Sequence, residues 1–386
     1  MKKKLTFFLI LLLSFFSCSK KIISENKIPF KYNDYIYLNV SVNKINNNCF
    51  IFDTGWLGIG LDSVFCEEVG IEFSKNTIEI NGIGNLSRRT RIITDTIFFS
   101  LNNNYTGFSN FSIGLDLKRI TGKKVDGIAG ITIFSQKPYM IDYVSQNIKF
   151  TNSVEGYEEL NALFEDNKIY IPLTITLKNK IQIKGKFMLD TGSNRTILNN
   201  HNFIGDSIFN SPIKKKYYSK GGVGGDSNGF LLQLEEVNVG KFNLKNIIVS
   251  LSSDTLGALA NPNYMGIIGN DILDDFHIIL DHQKEKIWVK PNKNFNKNKR
   301  KLFRGISFQD NGKNWVVVGI VEETEAFRQG IRMNDQIIQV NNVPVEQIDL
   351  DKFVDKLKAN DILKLKIKRD GEAKEIKFKL NVFLKS

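Results

Sequence analysis

Two aspartates in this 386-residue chain stand in the same local setting. Asp53 closes the run "CFIFDTG" and Asp190 closes "KFMLDTG", so each carboxylate follows apolar, strand-forming residues and precedes Thr-Gly. Burial disfavours the charged form of a carboxylate, and two of them brought together relieve the cost by sharing one proton. Such a pair holds one group ready to take a proton and one ready to give it, which is the equipment for activating a water and protonating a leaving nitrogen. Thr54 and Gly55 follow the first acid, Thr191 and Gly192 the second; the glycine lets the loop turn tightly and aim its N–H at the carboxylate. Asp, Thr and Gly are also ordinary where a strand ends in a turn, so one copy alone would carry little.

The elements that must position the acids repeat as well. Asp53 and Asp190 lie 137 residues apart; "GIAGITIF" matches "GIIGNDIL" with Gly130 and Gly269 separated by 139, and Asp142 matches Asp281 at 139. Landmarks kept in order argue for two copies of one unit, residues 31–150 and 170–290. Each copy is a series of short alternating runs cut by Gly and Asn turns, and helical patterning is confined to pieces such as "LDSVFCEEVG" and "GNDILDDF". The expected fold is mainly β, with two lobes related by a pseudo-twofold axis.

In this combination the chain resembles the aspartic proteases, in their small retropepsin-like form, over residues 31–290. Asp190, Thr191, Gly192 and Ser193, then Thr196-Ile197-Leu198, follow the family pattern in the second copy, and Ile128-Ala129-Gly130 and Ile267-Ile268-Gly269 fit its hydrophobic-Gly elements. Two copies in one chain are similar to the pepsin arrangement, in which one polypeptide builds the whole site. The resemblance implies an endopeptidase acting on polypeptides, with Asp53 and Asp190 as catalytic dyad and Thr54, Gly55, Thr191, Gly192 and Ser193 in support. It also implies glycine-rich flaps, for which "INGIGN" (Gly82, Gly84) and "SKGGVGGDSNG" (Gly222, Gly224, Gly225) offer themselves; a plain flexible hairpin explains these glycines equally well. Trp56 departs from the pattern, since the family places Ser or Ala after Asp-Thr-Gly. It either lines a substrate pocket or crowds the dyad, and a crowded dyad would leave a chain that binds peptides without cutting them.

Residues 291–302, within "KPNKNFNKNKRK", are polar and basic and read as a linker. The remainder, 303–386, reads strand, short helix, glycine turn, strand, amphipathic helix "DLDKFVDKLKA" and a hairpin around Asp370-Gly371. With Ala326, Gly330, Ile331, Asp335, Ile337, Ile338, Val340 and Asn341 at the matching spacing, it resembles a PDZ domain of the bacterial protease-associated kind. That implies capture of an extended peptide, often by its free C-terminus, as an added strand near Gly305, Ile306, Ser307 and Phe308. A domain that only packs on the lobes or pairs two chains is the plain alternative.

"MKKKLTFFLILLLSFFSC" has a Lys-rich head, a short apolar run and Cys18, the pattern of a secretory signal over residues 1–17. Its apolar run is too short to span a bilayer as a helix. The ending "FFSC" resembles a bacterial lipobox, with Phe15 in place of an aliphatic residue, which implies a lipid on Cys18, a tether over 18–30, and export to the periplasmic or cell-surface side of a membrane. A plain cleaved signal is the alternative. Net charge is +12, but the lysines are interspersed with Asn and Ile and lack the aromatic interleaving of a nucleic-acid face, so the reading excludes nucleic acid and allows attraction to an anionic membrane. His201, His277 and His282 lack metal-ligand spacing, and neither metal nor cofactor is expected. Cys49 and Cys66 are free to bridge or to stay as buried thiols.

Overall fold

Alternation in the sequence becomes alternation in burial. In the strand Tyr35–Val42, Ile36, Leu38, Val40 and Val42 are at most 2% exposed, while Tyr37, Asn39 and Ser41 between them lie on the other face and are less buried. This computed structural model describes residues 27–102, 105–199, 214–297, 305–358 and 360–380; Cys18, His201, Phe303 and Arg304 lie outside them. The described chain is mainly β, its strands joined into two large mixed networks. Among the described residues no helix is long and apolar enough to cross a membrane.

One strand arrangement occurs twice. In the first unit Ile45–Asp53 runs parallel to Gly127–Gly130, which runs antiparallel to Ile59–Asp62, itself parallel to Ser112–Leu115. In the second, Gln182–Leu189 runs parallel to Gly266–Ile268, which runs antiparallel to Ile197–Leu198, itself parallel to Ile248–Ser252. Each aspartate therefore comes off the end of a central strand whose apolar residues are buried on both faces: Phe50, Ile51 and Phe52 in one copy, Phe187, Met188 and Leu189 in the other.

The two units share a sheet. The hairpin Tyr139–Asp142/Asn147–Phe150 meets the hairpin Phe276–Asp281/Lys286–Pro291 antiparallel, with Met140 opposite Ile279. Lys27–Asn33 closes one side of this sheet and Glu158–Leu160 the other. Beneath it, Phe52, Phe134 and Tyr139 pack edge-on or tilted at 5.2–6.2 Å, inside an apolar cluster that runs through both units. Full burial of each such ring contributes on the order of 2–3 kcal/mol.

Two boundaries differ from the sequence reading. Lys27–Pro29, at the end of the expected tether, already pair in the shared sheet, and Phe30 pairs with Leu38. Residues 291–297, taken as linker, fold onto the second unit: Asn292 is buried, and Phe295 packs 5.5 Å from Phe276 and 6.2 Å from Phe242. One aromatic among the lysines outweighs their polarity. Cys49 and Cys66 are both free, and burial pushes the Cys66 thiol up to about 12.

The C-terminal domain has its own core of Trp315, Val317, Ile337, Leu365, Ile367 and Phe378. Its strand Trp315–Val321 pairs with Ile306–Asp310 on one edge. Buried Asp335 is held by Arg369 at 2.6 and 2.7 Å, a two-pronged pair that fixes the turn after the helix Glu325–Arg328 to the strand Ile362–Arg369.

Candidate active site

Asp53 and Asp190 meet between the two units, with their carboxyl groups hydrogen-bonded to each other. Each accepts the amide of its own loop glycine: Gly55 N–H donates to Asp53 Oδ1 at 2.7 Å, and Gly192 N–H to Asp190 Oδ1 at 2.9 Å. The glycines are required by close approach. A Cβ on Gly55 would lie 2.9 Å from the Asp190 carboxyl, and one on Gly192 would be driven into that of Asp53, so each loop is shaped against the acid of the other.

The threonines lock the loops together. Thr54 Oγ1 donates to the Leu189 carbonyl (2.9 Å) and accepts from Thr191 N–H (3.0 Å); Thr191 Oγ1 donates to the Phe52 carbonyl (2.8 Å) and accepts from Thr54 N–H (3.0 Å). Both are fully buried, so these four reciprocal bonds satisfy backbone groups that would otherwise be orphaned.

Burial is the largest influence on the pair and raises both carboxyls above the ordinary range; the charge of Asp53 and the bond between the two acids raise Asp190 further. Lys168 opposes this. Its ammonium is hydrogen-bonded to the Gly55 carbonyl, and its charge lowers both carboxyls. Strand register explains the position: Tyr37 pairs with Ile51 and Tyr170 with Met188, each partner lying two residues before an aspartate, so Tyr35 and Lys168 occupy equivalent places. One unit sets a phenol beside the dyad and the other an ammonium.

Asn270, fully buried, also escaped the sequence reading. Its Nδ2 donates to the Thr191 carbonyl at 2.7 Å and to the Asp34 carbonyl at 2.9 Å, tying the second loop to the first unit. Its place directly after Gly269 was the available signal. The Ser193 hydroxyl donates to the Arg195 carbonyl at 2.7 Å within its own loop. Trp56 packs against the cluster of Ile51, Leu115, Leu117 and Ile128, as do Ile78, Ile80 and Ile92 of the neighbouring hairpin, and forms part of the first unit's wall.

Both glycine-rich segments are hairpin tips, and they interlock. The strands Phe73–Ile80 and Arg88–Ile93 carry Gly82 and Gly84 between them, and Lys214–Ser219 and Ser227–Val239 carry Gly222, Gly224 and Gly225. Gly224 N–H donates to the Ile83 carbonyl (2.8 Å), Leu86 N–H to the Gly224 carbonyl (2.9 Å) and Arg88 Nε to the Val223 carbonyl (3.0 Å). Gly222 sits at φ 86° with the Ile83 carbonyl where a Cβ would go, which only glycine tolerates. The first tip is also pinned to the second unit: buried Asp254 accepts from Gly84 N–H (3.0 Å) and Asn85 Nδ2 (3.1 Å), and Ile83 packs with Met188, Leu259 and Tyr264.

In the C-terminal domain, Gly305 precedes the strand that holds Ile306, Ser307 and Phe308. That strand pairs, among the described residues, with Trp315–Val321 alone, leaving its other edge for an added strand. Phe308 from the strand and Phe353 from the helix Leu350–Lys356 lie against the Trp315 ring at 5.9 and 5.4 Å, so strand and helix flank one floor. A family model for the PDZ domain matches residues 304–380. The C-terminal domain is a PDZ domain. Its match accounts for the unpaired strand edge, because PDZ domains take peptide C-termini by strand addition. No curated protein matches the chain. Among the described residues no three His, Cys, Asp or Glu side chains converge as a metal site would require.

Proposed function

We propose that the chain is an aspartic-type endopeptidase, two pseudo-symmetric acid-protease lobes followed by a PDZ domain, with Asp53 and Asp190 as its dyad. The observation that carries the reading is the carboxyl pair, Asp190 buried and Asp53 partly so, held by reciprocal Thr54 and Thr191 bonds across a duplicated strand arrangement. In the proposed reaction charged Asp53 takes a proton from a water as the oxygen attacks the peptide carbon, and Asp190 gives its proton to the carbonyl oxygen. In the second half Asp53 returns its proton to the leaving nitrogen, and Asp190 recovers one from the intermediate's hydroxyl as the C–N bond breaks. The interlocked tips act as flaps over the substrate backbone. Polypeptide substrates are recruited through the PDZ domain, whose family binds peptide C-termini.

The leader and Cys18 support an exported, lipid-anchored protein as part of the same proposal. A tethered peptide receptor with a silent dyad is the second reading, favoured by the PDZ domain being the part that matches a known family. The test is cleavage of an unfolded polypeptide by the signal-free chain across acidic to neutral pH, with Asp190→Asn as control. Fragments from the wild type alone support the peptidase; identical intact substrate from both leaves the receptor.

A further inference from the structure

The outer strand of the second flap belongs as much to the PDZ domain as to its own lobe. Tyr217, Tyr218 and Ser219 pair antiparallel with Val321, Ile320 and Gly319, on the edge of Trp315–Val321 opposite Ile306–Asp310. Two further backbone bonds extend the seam, Lys220 N–H to the Val318 carbonyl (2.7 Å) and Glu322 N–H to the Lys216 carbonyl (2.9 Å). Tyr218 packs on the PDZ core and donates its hydroxyl to Glu322 at 3.0 Å, while Tyr217, Leu231 and Val321 form a small buried cluster. A flap joined this way moves with the PDZ domain or breaks a strand pairing to move without it.

The groove on the other face of that domain reaches the same flap by a second route. Its strand wall touches the first lobe through Gln309 Nε2, which donates to the Lys118 carbonyl at 3.5 Å, and its helix wall through Asp351, paired with Lys123 at 3.1 Å. Within that same short segment, the Ile120 carbonyl accepts from Gly222 N–H at 3.3 Å, at the flap tip. Residues 118–123 therefore bridge both walls of the groove and hold the flap at once. A peptide strand laid along Ile306–Asp310 arrives at Gln309 and passes beside Asp351, so it competes with this segment for both walls.

We infer that the PDZ domain regulates the flap: a peptide C-terminus in its groove displaces residues 118–123, removes the partner of Gly222 N–H and frees the flap to open. The regulatory consequence rests on the peptidase reading, whereas the mechanical coupling does not. Coupling requires a ligand that binds the two arrangements unequally, and competition for Gln309 and Asp351 supplies that difference.

The test is hydrogen exchange at residues 220–226 in the signal-free chain, compared among wild type, Asp351→Lys and the charge swap Lys123→Asp/Asp351→Lys, with Ile337 and Leu365 reporting that the PDZ core is intact. Asp351→Lys should speed exchange at the tip about fivefold, within the usual range of coupling between sites, and the swap should restore it. A peptide selected from a library with free C-termini should speed it likewise, and its amidated twin should not. Unchanged exchange in Asp351→Lys with an intact core, a selected peptide that leaves the tip unchanged, or a library that yields no binder would each overturn the coupling. Cleavage is measured alongside with Asp190→Asn as blank. Coupled exchange without dyad-dependent cleavage removes the peptidase and keeps the switch, and cleavage without coupled exchange does the reverse.

Discussion

On the proposed peptidase reading, replacing Lys168 with Met should move the whole pH profile of cleavage upward. The ammonium is hydrogen-bonded to the Gly55 carbonyl, and the amide of the same residue donates to Asp53 Oδ1 at 2.7 Å. One peptide unit of separation sets the ammonium about 6 Å from the carboxylate. At an effective dielectric constant of about 20 the attraction is about 2.8 kcal/mol, and solvent at the half-buried ammonium leaves about half of it. The remaining ~1.4 kcal/mol corresponds to about one pH unit. Lys168 favours the charged form of both carboxyls, so its loss raises both. The acid limb, where Asp53 must be charged, and the alkaline limb, where Asp190 must keep its proton, should each shift up by about one unit. The assay is kcat/KM for a reporter peptide across the pH range, with Lys168→Arg holding the profile near wild type. Limbs that stay in place or move downward in Lys168→Met would refute the electrostatic assignment of this residue.

Three further outcomes follow from the same geometry. Thr191→Ala strips the Thr54 amide and the Phe52 carbonyl of their buried partner and should cost about 2–4 kcal/mol in urea unfolding, while Thr191→Ser keeps the hydroxyl and most of the stability. Asp190 has a raised folded pKa, so its contribution is fully present below the unfolded carboxyl value and is lost as pH rises through the folded one. Asp190→Asn should therefore unfold at higher temperature than wild type at alkaline pH, with the gap closing toward acid, while losing at least ~100-fold in cleavage rate. Asp254→Ala removes the acceptor of Gly84 N–H; exchange at residues 82–86 should accelerate by roughly tenfold, and KM should rise as the first flap loses its seat.

The duplicated acids were readable because both the aspartates and their supporting triplets recur at nearly constant spacing, and strand alternation sets which face is buried. Lys168 was hidden by a shift in that spacing. Counting back 137 residues from it lands on Lys31, whereas the strand register equates it with Tyr35, because the hairpins that join these strands to the aspartate strands differ in length. The flap seam was invisible for another reason: "KKKYYS" reads as an ordinary polar strand, and nothing local to it names an edge around a hundred residues away. Phe295 was lost in a composition argument, where five lysines in its neighbourhood spoke for solvent and one ring decided for the core. Trp56 was anomalous only against a family pattern; against its own lobe it is one more apolar wall residue.

The reciprocal threonine bonds also bear on when the two-acid centre is complete. Since each loop borrows its hydroxyl and amide partners from the opposite half, a chain delivered N-terminus first carries an unfinished centre until Thr191 has emerged and docked. The flap seam postpones completion further, because its last strand partner arrives with Gly319, Ile320 and Val321. Such an order ties completion of the paired-acid centre, and of the hairpin beside it, to synthesis of nearly the whole described chain.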